Sequence, residues 1–268
     1  MVANAYTLID VPQHSHIYFT VLCITMEKSK KEAEKEIEFL EGPQSRWKEF
    51  KFTISVLLDF IRGFRALHNA GPCVTIFGSA RFKEDHVYYQ KTVELAAEVA
   101  KLGFTVMTGG GPGIMEAANK GARQAGGRSV GCNIILPHEQ HYNPYLDKSV
   151  NIQHFFVRKT LLIKYSYAFI VMPGGFGTLD EFFEAITLIQ TKKIYEFPII
   201  VFDVAYHQAL IEHIELMRQK QTISEEDLEL CLFTDSVEEA IKHLQDFSIN
   251  RFGLKAEQKR KFKWALPQ

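Results

Sequence analysis

From residue 71 onward, short apolar runs alternate with longer segments of helical periodicity. The helix-period segments cover about residues 84–102, 112–125, 158–166, 178–191, 205–219 and 236–247. The apolar runs, which are typical of buried β-strands, are Cys73–Phe77, Phe104–Thr108, Ser129–Ile134, Val150–Phe155, Ala168–Met172, Pro198–Phe202 and Leu230–Phe233. Apolar strands that alternate with helices predict a parallel sheet covered on both faces. Because such crossovers are right-handed, we expect an α/β, Rossmann-like, doubly wound fold.

The preceding part of the chain is expected to be a helical extension. A helix is predicted from Gln44 to about His68, since apolar residues recur there at three- and four-residue spacing, and Gly71-Pro72 ends it. A charged, helix-compatible stretch begins at Met26, whereas residues 1–25 show no clear periodicity. We therefore predict an N-terminal extension over 1–70, one sheet domain over 71–250 and a basic C-terminal tail over 251–268.

Composition argues against three classes of protein: nucleic-acid binders, disulfide- or zinc-stabilised proteins and membrane proteins. The 268 residues carry a formal net charge of −1, which argues against a general nucleic-acid binder; the basic run Lys259–Lys263 is interpreted as a solvated tail. The four cysteines form no CxxC pair, so we expect reduced thiols in the cytoplasm, with neither a disulfide framework nor a zinc site. The apolar run Ile17–Ile24 is too short to span a bilayer and lacks signal-peptide features, so no membrane association is predicted.

Three glycine-bearing turns fall at predicted strand ends. They are GSAR at Gly78–Arg81, TGGGPGIME at Thr108–Glu116 and PGGFGTLDE at Pro173–Glu181. Ligands of such sheets bind beyond the carboxyl ends of the strands, where glycine admits a close ligand and helix N-termini attract anions. Neither GxxxxGK[ST] nor GxGxxG is present. The turns therefore predict a phosphate-bearing ligand that is neither an ATP-driven substrate nor a redox dinucleotide.

Charged residues near these turns allow more than one interpretation. Thr178 and Glu181 have the spacing of a capping box, so Glu181 either caps a helix or faces the ligand. Arg158 and Lys159 lie at a predicted helix start, where cations oppose the dipole; they are either a solvated pair or anion ligands. His138 and His141 have no third ligand at a suitable spacing, so no metal site is predicted.

Three sequence strings closely resemble the Lonely-guy (LOG) family. They are GGGPGIMEAANKGA at Gly109–Ala122, FFVRK at Phe155–Lys159 and PGGFGTLDE at Pro173–Glu181, and the resemblance covers about residues 72–250. The family comprises cytokinin riboside 5′-monophosphate phosphoribohydrolases and broader nucleotide nucleosidases, long mislabelled as lysine decarboxylases. The fragments EFLEGPQSRW and LPHEQ look like a longer bacterial branch, because the short plant-type proteins lack the N-terminal helices.

The resemblance implies a nucleotide-binding catalytic domain and a hydrolase that needs no cofactor. Its substrate would be a nucleoside 5′-monophosphate, AMP or a cytokinin riboside monophosphate, cleaved to base and ribose 5-phosphate. The resemblance implies Arg158 and Glu181 as the catalytic pair. The residues it places at the substrate are Glu139, Lys159 and Thr187, with Gly174, Gly175, Gly177 and Thr178 at the 5′-phosphate. Gly110 and Gly111 of the second turn are also expected at the substrate.

Assembly and an alternative function complete these expectations. The family generally forms dimers, and the apolar stripe Trp47–Phe64 is wide, so a homodimer is predicted. The alternative function is a non-catalytic carrier of a phosphorylated cofactor, like the molybdenum-cofactor carriers that share this fold. A pure carrier would not require the pair Arg158 and Glu181. Pyridoxal-phosphate-dependent decarboxylation lacks a lysine in a suitable context.

Overall fold

The computed structural model describes residues 40–135 and 143–252, with side chains up to residue 247. The strands are β1 (Cys73–Phe77), β2 (Thr105–Thr108), β3 (Ser129–Ile134), β4 (Lys148–Ile152), β5 (Ser166–Val171), β6 (Ile199–Phe202) and β7 (Leu232–Thr234). The helices are α1 (Arg46–Leu67), α2 (Val87–Lys101), α3 (Ile114–Gln124), α4 (Phe155–Tyr165), α5 (Phe176–Gln190), α6 (Gln208–Gln219) and α7 (Val237–Phe252). A short 3₁₀ helix, Glu226–Leu230, precedes β7.

The seven strands form one parallel sheet in the order β4-β3-β2-β1-β5-β6-β7. The α/β, doubly wound fold predicted from the sequence is confirmed. The chain builds outward from β1 to β4 and then returns to pair β5 with the other side of β1. The carboxyl ends of β1 and β5 therefore flank the point where the strand order reverses, which is the usual ligand crevice of this class of sheet.

Both faces of the sheet are covered, because successive strand residues point to opposite faces. On one face Cys73 and Phe169 pack with side chains from α1, α4 and α5. On the other, Val74 and Ala168 pack with side chains from α2, α3 and α7. The apolar runs of the central strands thus reflect burial on both sides of the sheet, whereas the edge strand β4 is partly exposed. None of the helices in the described part of the chain is long and apolar enough to cross a membrane.

The predicted end of the fourth strand is wrong. The fourth strand ends at Ile152, and α4 begins at Phe155 after His154 as the N-cap, whereas the sequence predicted a strand over Val150–Phe155. Phe155 and Phe156 extended the apolar run past the strand, but they form the first helical turn and are each 46% exposed. As a result Arg158 lies one turn inside α4.

Candidate active site

A pocket of about 590 Å³ opens where β1 and β5 end. The residues that line it are Phe77, the turn Gly78–Phe82, Met115, Arg158, the turn Gly174–Thr178, Glu181 and Tyr206. The first and third glycine turns are joined directly, because the Ser79 N–H donates to the Pro173 carbonyl at 3.0 Å. The parallel sheet thus brings two turns that are almost 100 residues apart to one pocket.

The turn Gly174–Thr178 leads into the N-terminus of α5. Gly175 is the N-cap, and no side chain of the described residues makes a capping hydrogen bond to the helix. A Cβ at Gly174 would overlap the Thr178 hydroxyl, so the fold itself requires that glycine. At Gly175 and Gly177 an added Cβ would meet nothing within 4 Å. The fold therefore gives no steric reason for these two glycines, while an uncapped helix N-terminus at a pocket suits an anion.

The capping-box interpretation of Thr178 and Glu181 is wrong. The helix begins at Phe176, two residues before Thr178, so Thr178 is not the N-cap. Glu181 is only 4% exposed, and its Oε2 has no hydrogen-bond partner among the described residues. A buried, unpartnered carboxylate oxygen is costly. Glu181 thus makes no capping hydrogen bond. Because its side chain lines the pocket, the unpartnered oxygen belongs to the site.

Burial raises the pKa of Glu181 to about 7. The cations of Arg158 and Lys159 lower this pKa without outweighing burial, and the nearby carboxylates Glu184 and Asp180 raise it. Desolvation disfavours the charged form of an acid, so a carboxyl in this setting titrates near neutral pH. Such a value is frequent among groups that act in acid–base or electrostatic catalysis.

Arg158 faces Glu181 from α4. Its Nη1 lies 3.9 Å from Glu181 Oε1, and its Nε donates to the Cys132 carbonyl of β3 at 2.9 Å. An added Cβ at Gly109 would overlap the Arg158 guanidinium. The second glycine turn therefore provides the space in which this guanidinium lies, which is a role that its spacing in the sequence did not reveal.

Lys159 is placed differently from its neighbour. Its Nζ forms ion pairs with Asp180 at 3.0 Å and with Glu184 at 2.6 Å, and it does not line the pocket. Burial lowers the pKa of Lys159, but the hydrogen bonds with Glu184 and Asp180 outweigh it and hold the pKa above its usual value. Lys159 thus ties α4 to α5, and any contact with the substrate remains a prediction.

Gly110 and Gly111 hold their turn together and do not line the pocket. Gly110 has a φ of 74°, its N–H donates to Thr108 Oγ1 at 2.9 Å, and an added Cβ would overlap Asn133. Gly111 lies against Met115, which does line the pocket. The contact that these two glycines make with the site is therefore indirect.

Two further predicted residues are not brought to this pocket. Thr187 is exposed near the far end of α5, where its hydroxyl donates to the Phe183 carbonyl at 2.6 Å. It lines a separate, mainly apolar cavity of about 330 Å³ between α5 and α6. Glu139 lies outside the described residues.

Tyr206 is a pocket residue that the sequence did not indicate. Its hydroxyl donates to the Gly174 carbonyl at 2.7 Å, and its N–H donates to Asp203 Oδ1 at 2.8 Å. It follows β6, so its place after a strand end was the only available signal. The tyrosine therefore supports the glycine turn through its side-chain hydroxyl.

A buried polar network supports the second turn. Asn119 Oδ1 accepts from Thr108 Oγ1 at 2.6 Å and from Asn143 Nδ2 at 2.9 Å, while Asn119 Nδ2 donates to Ser129 Oγ at 2.7 Å. All of these side chains are buried. Because each buried polar group has a partner, the network stabilises the turn beside Arg158 at little cost.

The chain is similar in sequence and in fold to proteins that are already known. A family model described as "Possible lysine decarboxylase" matches residues 115–244. A cytokinin riboside 5′-monophosphate phosphoribohydrolase of Arabidopsis thaliana is 28% identical over 165 residues, which are 60% of this chain and 76% of the relative. A protein of the same name from Mycobacterium tuberculosis is 38% identical over 108 residues, 37% of this chain and 56% of the relative. A solved molybdenum cofactor carrier protein from Chlamydomonas reinhardtii aligns with a TM-score of 0.49 and 20% identity, over 66% of this chain and 98% of that chain.

The stretch matched by the family model contains Arg158, the turn at Gly174 and Glu181. The relatives from Arabidopsis and Mycobacterium carry the family name that the motifs indicated. The chain is therefore similar to the Lonely-guy (LOG) family over the stretch that carries these motifs.

Proposed function

We propose that the protein hydrolyses the N-glycosidic bond of a nucleoside 5′-monophosphate, AMP or a cytokinin riboside monophosphate, to a free base and ribose 5-phosphate. The observation that carries this proposal is the buried carboxyl of Glu181, with one oxygen unpartnered, in the same pocket as the uncapped N-terminus of α5. The names of the relatives from Arabidopsis and Mycobacterium support the same reaction.

The 5′-phosphate would bind at the turn Gly174–Thr178. Free N–H groups and the positive end of the helix dipole favour an anion there. The absence of side chains at Gly175 and Gly177 leaves the backbone open to close approach. Arg158 adds a guanidinium that can bind phosphate or ribose oxygens in a bidentate manner and orient the sugar.

Glu181 would act on the sugar. Cleavage of a ribosyl–base bond builds positive charge on the ribose, as in glycoside hydrolysis. A carboxylate held out of water stabilises such charge strongly, or accepts a proton from the attacking water. With a pKa of about 7, the group is available in its ionised form at and above neutral pH.

The protein would act as a homodimer in the cytoplasm. The outward face of α1 exposes large apolar side chains, among them Trp47 at 64%, Phe50 at 53% and Leu57 at 52%. An apolar face of this size is more typical of an interface than of a surface exposed to water, and a second copy would cover it symmetrically. The free thiols Cys73, Cys132 and Cys231 suit a reducing compartment.

The test compares AMP with adenosine as substrates of the purified protein. Released adenine is separated by chromatography, and ribose 5-phosphate is measured in the same sample. We expect kcat/KM for AMP to exceed that for adenosine by a factor on the order of a hundred or more, since the charge-assisted phosphate contacts are lost with adenosine. Equal values would contradict the phosphate site. Tight AMP binding without any release of base would favour the carrier function instead.

A further inference from the structure

A buried polar cluster outside the pocket joins α1 to the start of α4. Asp59 of α1 and His154 are 2% and 0% exposed, and His154 Nδ1 lies 2.8 Å from Asp59 Oδ2. The same Oδ2 accepts from the backbone N–H groups of Gln153 at 2.8 Å and His154 at 3.1 Å. Arg62 donates to the other carboxylate oxygen at 2.5 Å. The Asp59 carboxylate of α1 therefore accepts hydrogen bonds from the backbone immediately before α4 begins.

The other ring nitrogen of His154 faces Ser55. His154 Nε2 lies 3.2 Å from Ser55 Oγ, and that hydroxyl donates to the Phe52 carbonyl at 2.7 Å. A hydroxyl has one hydrogen, so the ring nitrogen is the donor to Ser55. Both ring nitrogens of His154 therefore lie at hydrogen-bond distance from side-chain oxygens, those of Ser55 and Asp59.

The hydrogen-bonded series Ser55–His154–Asp59 has the residue types of a hydrolytic triad. The cluster nevertheless lacks the features of a catalytic centre. The Ser55 hydroxyl already donates to a backbone carbonyl, and Ser55 lies inside α1, where backbone N–H groups are bonded within the helix. In the part of the chain that the structure describes, the helix therefore offers Ser55 no oxyanion hole. The cluster must therefore have a structural role, which depends on the element that it fixes in place.

The cluster of Asp59 and His154 fixes the start of α4, the helix that carries Arg158. His154 is the N-cap of α4, and its carbonyl accepts from the Arg158 N–H at 3.1 Å. The His154 side chain makes no capping bond to α4, and the Asp59 carboxylate of another helix instead binds the two backbone N–H groups that immediately precede the first residue of α4. Burial raises the pKa of Asp59, but its hydrogen bonds with His154 and Gln153 outweigh burial and lower the pKa below its usual value.

The fit between α1 and α4 is close on both sides of this contact. The Phe52 ring meets the His154 ring edge to face, with centroids 5.0 Å apart. One turn beyond Asp59, an added Cβ at Gly63 would overlap the Leu161 side chain. Since close-packed surfaces transmit small displacements, a change in the Asp59 contact shifts the first turn of α4.

We propose that Asp59 and His154 are positioning residues of the active site, through which α1 sets the place of Arg158 relative to Glu181. The inference rests on the proposed function only in treating Arg158 and Glu181 as the reacting groups. Among the described residues, the charged groups with the largest effect on the pKa of Glu181 are Arg158 and Lys159 from α4 and Glu184 and Asp180 from its own helix. A shift of α4 therefore changes the two cations and leaves the two carboxylates in place.

The variant Asp59→Asn tests this by the titration of Glu181, followed by carboxyl ¹³C NMR and assigned with Glu181→Gln. The sign of the shift separates two causes. Loss of the Asp59 charge alone would lower the pKa of Glu181, whereas displacement of the α4 cations raises it. We expect an upward shift of about half a unit or more. An unchanged or lowered value in a folded variant would overturn the proposal.

Kinetics with AMP supply the second readout. We expect kcat of Asp59→Asn to fall roughly tenfold or more well below its melting temperature, because small misplacements of a catalytic group are costly. The control is Leu67→Ala, which removes a buried side chain of α1 away from the cluster. It should lower the melting temperature but change neither kcat nor the Glu181 titration.

Two safeguards keep the outcomes distinct. If Asp59→Asn does not fold, His154→Asn, which keeps a residue favoured at the N-cap, is expected to produce the same upward shift. If the wild-type protein releases no base from any nucleotide, the proposed function fails, while the NMR titration still decides the positioning role. Equal effects of Asp59→Asn and Leu67→Ala on both readouts would make Asp59 a purely structural residue.

Discussion

Arg158 and Glu181 face each other in the pocket without forming a hydrogen bond, since Nη1 lies 3.9 Å from Oε1. At that distance the guanidinium lowers the pKa of the carboxyl but does not neutralise the effect of burial, and the pKa stays at about 7. Both groups therefore keep hydrogen-bonding capacity for a ligand. A structural ion pair would close this gap, whereas a site that must meet a phosphate and a developing cation benefits from leaving it open.

The first prediction concerns Glu181→Gln. We expect a folded protein that binds AMP with near wild-type affinity, because the glycine turn and Arg158 remain, but whose kcat is lower by orders of magnitude. Affinity is measured by calorimetry and turnover by release of adenine. A variant that keeps more than about a tenth of the wild-type kcat, a barrier change below about 1.4 kcal/mol, would show that the Glu181 charge is not catalytic.

The second prediction concerns stability against pH. The pKa of Glu181 is raised from 4.5 to about 7 in the folded state, so the folded protein binds this proton more tightly than the unfolded chain does. Its contribution to stability is therefore complete below about pH 4.5 and is lost as pH rises through about 7, a change on the order of 3 kcal/mol. Glu181→Gln removes this dependence.

Unfolding of both proteins in urea at several pH values checks the effect. The stability of the variant relative to wild type should increase between pH 5 and pH 8. A constant difference over that range would show that Glu181 titrates close to its usual value. On the activity side, kcat/KM for AMP should rise with pH through about 7 if the ionised carboxylate is the reactive form.

The third prediction uses the glycines of the phosphate turn. At Gly177 an added methyl group meets nothing, and the residue lies in the first turn of α5. Gly177→Ala should therefore leave stability unchanged or raise it by up to about 1 kcal/mol, yet raise KM for AMP by blocking close approach of the phosphate.

The matched control for that prediction is Gly174→Ala. There the added methyl group overlaps the Thr178 hydroxyl, so both the melting temperature and AMP binding should fall. Thermal unfolding and KM are measured side by side. An unaltered KM in Gly177→Ala would place the phosphate elsewhere in the pocket.

The fourth prediction concerns assembly. Leu57→Glu introduces a charge into the exposed apolar face of α1, and a buried unpaired charge at an interface is strongly unfavourable. Light scattering should show a dimer for the wild type and a monomer for this variant. Gln90→Glu, which introduces the same charge at an exposed position of α2 on the opposite face of the sheet, should remain a dimer. A wild-type monomer at micromolar concentration would contradict the proposed homodimer.

The sequence by itself determined the sheet and the edge at which the site lies. Its apolar runs predict strands buried on both faces, and in a parallel sheet the carboxyl ends of strands lie along one edge. Turns that follow separate strands, such as those at Gly78 and Gly174, had to meet near that edge. The motifs that contain Arg158 and Glu181 could also be recognised from the sequence, because a local motif does not depend on tertiary structure.

The tertiary structure alone decided which side chains meet and which do not. The spacing of Thr178 and Glu181 fits a capping box or a pocket acid equally well, and only the start of α5 at Phe176 distinguished them. Two neighbours in sequence have different surroundings. Arg158 lines the pocket, whereas Lys159 forms ion pairs with carboxylates of α5.

Contacts between distant residues were also decided only by the folded chain. Asp59 and His154 are 95 positions apart, and Tyr206 and Gly174 are 32 apart. The physical reason is that local patterns report periodicity and burial, whereas a hydrogen bond between distant residues depends on how complete helices and strands pack. A displacement of about 1 Å, which no sequence pattern encodes, makes or breaks such a bond.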